Sequence, residues 1–370
     1  MSNEGQEKSN SAILILTAAL ILNFYFFNRR FGGKVEVLKN VFIVFICLII
    51  FSSLKVNALE KCKWDNRKGI PCVVIKKTPN SSAYNEENIN KIVITKQNII
   101  NSGAQDTNDI LKLISGLDVF QSGPKGQSTS IFTRGSESNH TLVLLNGVAI
   151  NDQSTTDGLH DFGQDFVHTI QQIEIYKGSN GAHFGPSAIA GAINFITDID
   201  YTNSYSISGF NSDNNSLDGN FTKITDNGWH LNLKGGATQN KTDSSIAKGN
   251  EDDGMKNYQL NLNANRWLNE NLKFKSTLYS RQTKADYDGS ATNEIGYVSD
   301  NKMYAVQTGF EYNTKDTENN LIFHYQNYDR EYENGGYLDE YYSESLVAKG
   351  ERKVIANEKF SFGYGAEYKY

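Results

Sequence analysis

The sequence predicts a small α+β domain followed by a run of antiparallel amphipathic strands. Short apolar segments separated by Gly, Asn, Ser and Asp occupy residues 87–200, which is typical of short strands joined by turns. From residue 201 onward, apolar and polar residues alternate, and a period of two indicates strands with one apolar face. The chain also contains 20 Phe and 20 Tyr but four Pro, which favours aromatic-rich strands.

The composition argues against a nucleic-acid-binding protein. The 370 residues include 36 basic and 42 acidic side chains, for a net charge of −6, with no basic stripe. Hydrophobic residues make up 38%, a balance that suits a membrane β-barrel, whose strands meet lipid on one face and water or a plug on the other. Composition alone fits a soluble β-rich surface protein equally well.

Residues 1–58 are predicted to form an N-terminal extension and a signal peptide. Val41–Leu54 follows two lysines and ends close to Ala58, which is the layout of a secretory signal cleaved after Ala58. This run is too short for a comfortable transmembrane helix. An earlier apolar stretch, Ser11–Phe27, leaves two interpretations open: translation begins near Leu38, or residues 1–58 form a two-helix inner-membrane anchor.

The linker of residues 59–86 contains the cysteines Cys62 and Cys72. A cysteine pair in an exported chain predicts a disulfide that closes a short loop, and two free thiols are the alternative. Neither a His nor a third Cys lies close by, so a zinc site is a poor interpretation of this pair.

Two local signals define elements of the α+β domain. The acidic and polar run 106–109 precedes apolar residues 110–114 and then Gly116, which predicts a short helix with a glycine stop. Asn146-Gly147 follows the apolar run 142–145 and predicts a tight hairpin, because Asn-Gly accepts positive φ angles. Further strand-length apolar runs are Ile92–Ile94, Ser130–Phe132, Ile170–Tyr176 and Ala192–Ile196.

Four segments carry a resemblance to a known family. They are Ser130–Gly135 (SIFTRG), Leu142–Val148 (LVLLNGV), Ile173–Gly178 (IEIYKG) and Phe184–Thr197 (FGPSAIAGAINFIT). In sequence, order and spacing they resemble the plug domain of TonB-dependent outer-membrane receptors, over about residues 92–200. Lys177 stands where the family has Arg, and because Lys lacks the bidentate fork of Arg, an ion pair there is less directional.

The resemblance implies an α+β plug domain, residues 87–200, followed by the N-terminal part of an antiparallel transmembrane β-barrel, residues 201–370. It implies that the motif residues hold the plug in the barrel through ionic and close-packed contacts. Solvated surface charge is the alternative for the charged members. The residues concerned are Arg134, Gly135, Glu174, Lys177, Gly178, Gly185, Gly191 and Asn194.

Such a receptor needs an extended N-terminal segment that pairs with a strand of periplasmic TonB, which is energised by ExbB and ExbD. Val73-Val74-Ile75 is β-branched, suits strand addition and is the candidate TonB box. A first strand of the plug is the alternative for these residues.

About eight to nine strands are expected between residues 201 and 370. Short links such as Thr225–Gly228 and Asn269–Asn271 alternate with long links, Gln239–Lys256 and Lys284–Asn301, as in outer-membrane barrels. Plugged transporters have roughly 22 strands, so these strands cannot close a barrel. Because the sequence ends at Tyr370 within an alternating strand, and open edges are not viable in lipid, we expect a truncated product with an incomplete or unstable barrel.

Within the family, Gln127–Gly135 and the tract 250–289 resemble the cobalamin (vitamin B12) transporter branch. A ferric siderophore or haem is the alternative ligand, and a receptor that binds ligand, phage or colicin without uptake is a further alternative. The resemblance implies that ligand sits on the plug apex, in loops 121–127 and 151–163. The candidate contacts are Ser122, Lys125, Gln127, Asp152, Gln153, Asp157 and His160.

The cobalamin branch also binds Ca²⁺ through carboxylates of its first extracellular loops. The matching residues are Glu251, Asp253, Tyr287 and Asp288, which offer hard oxygen ligands; a solvated acidic loop is the alternative. We expect no catalytic cofactor and no enzyme, because the sequence shows no nucleophile–base or metal constellation. The expected location is the outer membrane of a Gram-negative bacterium, in contact with lipid.

Overall fold

The computed structural model describes residues 91–178, 184–185, 187–198, 203–211, 214–243, 252–288, 297–357 and 360–370. The chain divides into two compact units, Met1–Lys63 and Trp64–Tyr370, and every described residue belongs to the second. The signal segment, the linker with Cys62 and Cys72, the candidate TonB box and Glu251 lie outside the described residues. The boundaries at residues 58, 86 and 200 stay predictions.

The first part of the described chain is an α+β domain, named the plug below. Five of its strands form one mixed sheet in the order β1-β6-β7-β4-β5, and β2 and β3 form a separate hairpin. The strands are β1 Lys91–Thr95, β2 Leu117–Gln121, β3 Thr129–Thr133, β4 Thr141–Leu145, β5 Val148–Ala149, β6 Gln172–Lys177 and β7 Gly191–Ile196. The helices are α1 Lys96–Ser102 and α2 Thr107–Leu111.

The centre of the plug is the parallel pair β4 and β7. Every residue of β4 is buried, because both faces of this strand are covered and an unbroken apolar run can fill them. The predicted hairpin is confirmed: Asn146 and Gly147 have φ values of 49° and 83° and join β4 to β5.

The helix predicted after residue 106 is shorter than expected. Asp106 caps α2 by accepting a hydrogen bond from the Asp109 amide at 2.8 Å, as the sequence indicates. The helix nevertheless ends at Leu111, and the chain turns until Gly116, whose φ is +80°. Among the described residues, no helix has the length and apolar character needed to cross a membrane.

The second part of the described chain is a nine-stranded antiparallel sheet in which each strand pairs with its neighbours in sequence. This sheet is called the wall below. It agrees with the predicted eight to nine strands of a partial barrel. The strands are β8 Ser204–Asn211, β9 Asn214–Ile224, β10 Trp229–Asp243, β11 Asp252–Trp267, β12 Leu272–Asp286, β13 Tyr297–Asn313, β14 Thr317–Asn334, β15 Tyr337–Asn357 and β16 Phe360–Lys369.

The wall carries its apolar residues on the exposed face and its polar residues on the buried face. One exposed row crosses five strands in register, through Leu233, Leu262, Leu278, Val306 and Tyr325. The opposite face buries mainly polar side chains, including Asn232, Thr238, Asn257, Gln259, Asn261, Asn263, Thr283, Asn301, His324 and Gln326. An apolar exterior with a polar interior is the pattern of a barrel wall in lipid.

Both predicted long links begin and end in strand, which corrects the sequence-based boundaries. Gln239 pairs with Lys256, and Lys284 pairs with Asp300, so both ladders continue past the expected ends. A membrane crossing needs only about 9–11 residues, whereas β15 has 21. Above the lipid, a strand needs no apolar face, so alternation disappears while pairing continues. On the same side, β14 and β15 are joined by Gly335 and Gly336 alone.

Gly191 provides a test of how tightly β6 and β7 approach. A Cβ at this position would lie 2.3 Å from the Tyr176 carbonyl oxygen, so we expect Gly191→Ala to destabilise the plug by roughly 1–3 kcal/mol. Gly219 in β9 has open space around its missing Cβ, and Gly219→Ala is the matched control. Denaturant unfolding of the two variants would measure the difference, and equal stability would contradict the close approach.

Candidate functional site: the interface between plug and wall

The plug meets the inner face of the wall through buried ion pairs with β12 and β14. Arg281 of β12 donates from Nη1 to Oδ1 of Asp165, and both side chains are about 95% buried. His160 Nε2 lies 2.6 Å from the other oxygen of Asp165. The carboxylate is therefore engaged on both oxygens, which offsets the cost of removing its charge from water.

The loop that presents Asp165 is organised by its neighbour Asp161. The Asp161 carboxylate accepts hydrogen bonds from the Thr129 amide at 2.8 Å and the Gly163 amide at 2.9 Å. Burial raises the pKa of Asp161, although these hydrogen bonds oppose that effect. A Cβ at Gly163 would lie 2.0 Å from the Gln127 carbonyl oxygen, so the two apical loops touch at a position that only glycine fits.

A second ion pair lies two residues further along the strands. Arg330 of β14 contacts Asp152 of the plug, with Nε 2.9 Å from Oδ2, and donates from Nη2 to Ser154 Oγ at 2.9 Å. Ser343 of β15 donates to Oδ1 of the same Asp152 at 2.9 Å. The loop that begins at Asp152 is thus fastened to two strands of the wall.

The exit of the plug chain is held by a third set of polar contacts, named the exit anchor. Lys234 of β10 donates to the carbonyl oxygens of Thr197 and Asp198. Asn261 and Asn263 of β11 donate to the Oγ1 and the carbonyl oxygen of Thr197, respectively. These bonds fix the point where the plug ends, directly after β7.

Four of the seven predicted ligand contacts are engaged inside the protein. Lys125 forms ion pairs with Asp106 at 2.8 Å and Asp109 at 2.7 Å, and Gln127 donates to the Asp286 carbonyl oxygen at 3.0 Å. Asp152 and His160 lie in the ion pairs described above. These four side chains therefore make intramolecular polar contacts in this structure, and their contact with ligand stays a prediction.

The other three predicted ligand contacts are exposed. Ser122, Gln153 and Asp157 all lie on the surface of the apical loops. Ser122 donates to the Ser128 carbonyl oxygen at 2.8 Å, and Gln153 donates to the Asn151 carbonyl oxygen at 2.9 Å. Their contact with ligand stays a prediction.

The motif residues make their hydrogen bonds within the plug. Glu174 pairs with Lys91 at 3.1 Å and accepts from Asn194 at 3.2 Å, while Lys177 donates to the Ser115 carbonyl oxygen. Among the described residues, Glu174 links β6 to β1 and β7, and Lys177 links β6 to the turn before β2; an ionic contact from Glu174 or Lys177 to the barrel stays a prediction.

Three glycines of the motifs adopt backbone conformations with positive φ. Gly135, Gly178 and Gly185 have φ values of 75°, 85° and 93°, a region that favours glycine. Arg134 also has a positive φ, 54°. Its side chain lies beside Gly178, where a Cβ would sit 3.2 Å from Arg134 Nη1.

The sequence reasoning missed the ionic contacts that do join plug and wall. Arg281 and Arg330 were not singled out, although both stand at inward positions of alternating strands. The available signal for such a contact was a charged residue on the face of a strand opposite the apolar row, where the strand must meet the plug.

The candidate calcium residues are only partly in loops. Asp253 belongs to β11, pairs in register with Thr242 and is buried, so its assignment to a loop is corrected. Tyr287 donates to Asn334 Oδ1, and Asp288 follows it. Within the described ranges, no three His, Cys, Asp or Glu side chains come together as metal ligands, and calcium binding stays a prediction.

A plug seated on the polar inner face of a wall with an apolar exterior defines the class of a plugged outer-membrane receptor. Residues 84–192 match the model of the TonB-dependent Receptor Plug Domain family. This places the chain in the outer membrane of a Gram-negative bacterium. Over 147 residues the chain is 39% identical to the vitamin B12 transporter BtuB of Vibrio vulnificus (strain CMCP6).

Solved structures share the fold. The ferric yersiniabactin uptake receptor FyuA from Yersinia pestis matches 76% of the chain with a TM-score of 0.62 and 18% identity. The siderophore receptor PiuA from Acinetobacter baumannii matches 86% with a TM-score of 0.60 and 17% identity. The chain spans 49% and 48% of these two receptors. The BtuB match covers 39% of this chain and 24% of the relative.

Breaking the Arg281–Asp165 pair should loosen the plug. Arg281→Met leaves a buried carboxylate without its cation, and we expect a loss of about 3–5 kcal/mol. Adding Asp165→Leu should restore part of the stability, because the uncompensated carboxylate is removed, although the buried His160 Nε2 then loses its partner. Lys275 pairs with Glu311 at a more exposed position, so Lys275→Met should cost less than about 1 kcal/mol. Urea unfolding would measure all three, and equal losses for the two single variants would contradict the assignment.

His168 makes the interface sensitive to acid. Its Nε2 lies 2.8 Å from Thr238 Oγ1 of β10, and the absent side chain of Gly236 leaves room for its ring. Burial lowers the pKa of His168 to about 4. Because the folded value lies below the unfolded value near 6.5, stability is full above about pH 6.5 and falls as the pH drops toward 4.

We expect His168→Gln to remove about 2 kcal/mol of the loss of stability between pH 7 and pH 5. The partly exposed His140 provides the control variant, His140→Gln. Unfolding midpoints measured at pH 7 and pH 5 would show the difference. An unchanged pH dependence in His168→Gln would exclude His168 as the cause.

Proposed function

We propose that the chain supplies the plug and the first barrel strands of a receptor that takes up a scarce nutrient, with cobalamin as the leading candidate. The 39% identity to a vitamin B12 transporter supports the choice of ligand. The observation that carries the proposal is the polar interface between plug and wall, in which Asp165 pairs with Arg281 and Asp152 pairs with Arg330.

A polar interface between plug and wall suits a plug that must move. Each hydrogen bond at the interface contributes only about 1 kcal/mol net, because water can replace the lost partner. The wall contributes Tyr279, Met303, Ala305 and Tyr328 to the main apolar core of the plug. Two smaller apolar clusters join Val148 to Ile322 and Val347, and Phe166 to Met255 and Ala285. An interface of this kind can open when water enters, whereas a wholly apolar interface would resist.

Energy for this movement would come through TonB. In the proposed mechanism, ligand binds at the apical loops, the plug shifts, and the segment around Val73–Ile75 becomes available in the periplasm. TonB adds a strand to that segment and transmits force derived from the inner-membrane proton gradient through ExbB and ExbD. No covalent step is involved, and the family consists of receptors rather than enzymes.

Ferric siderophores are the second candidate ligand. The printed names of the similar structures include a ferric yersiniabactin receptor and a siderophore receptor. Their identities of 17–18% support a common fold and leave the ligand open, so the sequence relative weighs more.

Uptake in cells tests the proposal. We expect the complete receptor gene to restore uptake of radiolabelled cyanocobalamin to cells that lack their own receptor, and only when TonB is present. Val74→Pro removes a backbone donor from the proposed strand pairing and should abolish uptake while surface binding persists. Ser82→Pro, in the same linker, is the control. TonB-dependent uptake of a ferric siderophore without cobalamin uptake would reject cobalamin, and binding without any uptake would reject transport.

A further inference from the structure

Four tyrosines form a cluster on the wall, where the strands extend beyond the plug. Tyr287 contacts Tyr297 and Tyr332 at ring-centroid distances of 5.6 and 6.3 Å, and Tyr332 contacts Tyr341 at 6.0 Å. All four occupy the same side of the sheet as the buried polar residues, by strand alternation. Tyr341 is 45% exposed, so the cluster offers an aromatic surface to solvent.

Arg330 connects this cluster to the plug. It stands directly opposite Tyr341 in the β14–β15 ladder. Its guanidinium lies 5.1 Å from the centre of the Tyr341 ring and 5.8 Å from that of Tyr332. The same guanidinium pairs with Asp152 and donates to Ser154. A planar guanidinium can stack through its faces while it donates from its edge.

The geometry points to a binding subsite at the tyrosine cluster that controls the plug loop of residues 152–158 through Arg330. The ligand group that fits is flat and conjugated, because tyrosine rings pack favourably against such groups, and it carries hydrogen-bond acceptors that compete for the guanidinium edge. When this group binds, Arg330 shifts toward it and releases Asp152. This inference rests on the proposed function, because it assigns a role to part of the same ligand site.

The structure provides room for the shift. A cavity of about 30 Å³ lies beside the pair and is lined by Asp152, Thr155 and Arg330, among others. That volume accommodates a water molecule, which can solvate the Asp152 carboxylate once Arg330 moves. The consequence would be local, because the Ser154 amide and the Thr155 amide bond to Asp152 at 2.8 and 3.4 Å.

Hydrogen exchange of the amides in residues 153–158 would test the control of the loop by the cluster without any ligand. We expect the variant Tyr332→Ala with Tyr341→Ala to exchange about threefold faster or more, because Arg330 loses both cation–π contacts. Tyr342 is the neighbouring, outward-facing tyrosine, 61% exposed, and Tyr342→Ala is the matched control. Unchanged exchange in the double variant would overturn the inference, whichever ligand the receptor takes.

The role of ligand is tested with cyanocobalamin on the same receptor in detergent. Wild type should bind it and exchange faster at residues 153–158, while Arg330→Lys, which keeps the charge but loses the fork, should bind it without that acceleration. An equal acceleration in Arg330→Lys would reject the relay. Absence of cyanocobalamin binding by wild type would instead count against the proposed ligand, and the ligand-free exchange experiment would still decide the role of Arg330.

Discussion

The structure depends on the inverted polarity of the wall. Its exposed face presents an apolar row that runs from Leu233 to Tyr325 across five strands, and its buried face presents mainly amides, hydroxyls and charges. In water this arrangement would be unfavourable, whereas in lipid the apolar exterior is solvated and the interior must find polar partners. The plug supplies some of those partners, and the wall itself supplies others, as in the bonds between Asn257 and Thr283 and between His324 and Gln326.

The demand for polar partners explains the chemistry of the interface. Arginines at inward positions of β12 and β14 require anions, and the plug loops provide Asp165 and Asp152. The asparagines of β11 require acceptors, and Thr197 at the end of the plug provides its hydroxyl oxygen and its backbone carbonyl oxygen. The hydrogen bonds and ion pairs that satisfy these buried groups also keep the interface between plug and wall hydrophilic. The polar interior of the wall therefore explains both how the plug is held and why it can move.

The sequence indicated the elements better than the contacts between them. Alternation and the Asn146-Gly147 signal predicted the strands and a hairpin, because these patterns reflect local backbone geometry. The partners of Arg281 and His160 depend on which loop faces which strand, and a single sequence contains no such information. Strand ends such as Asp243 and Asp286 were misplaced because hydropathy patterning ends at the lipid boundary while the hydrogen-bond ladder does not.

The exit anchor determines what kind of displacement the plug can undergo. Lys234 and Asn261 are paired in register, and the row they define reaches Gln326 on β14 through Tyr279 and Ala305. Arg330 lies four residues beyond, about 13 Å along the strand. The exit anchor holds the plug at one level, and the Arg330–Asp152 pair holds it at another. When that pair breaks, the plug is expected to rotate about the exit anchor. Opening would therefore start as a tilt that widens a crevice on one side of the pore.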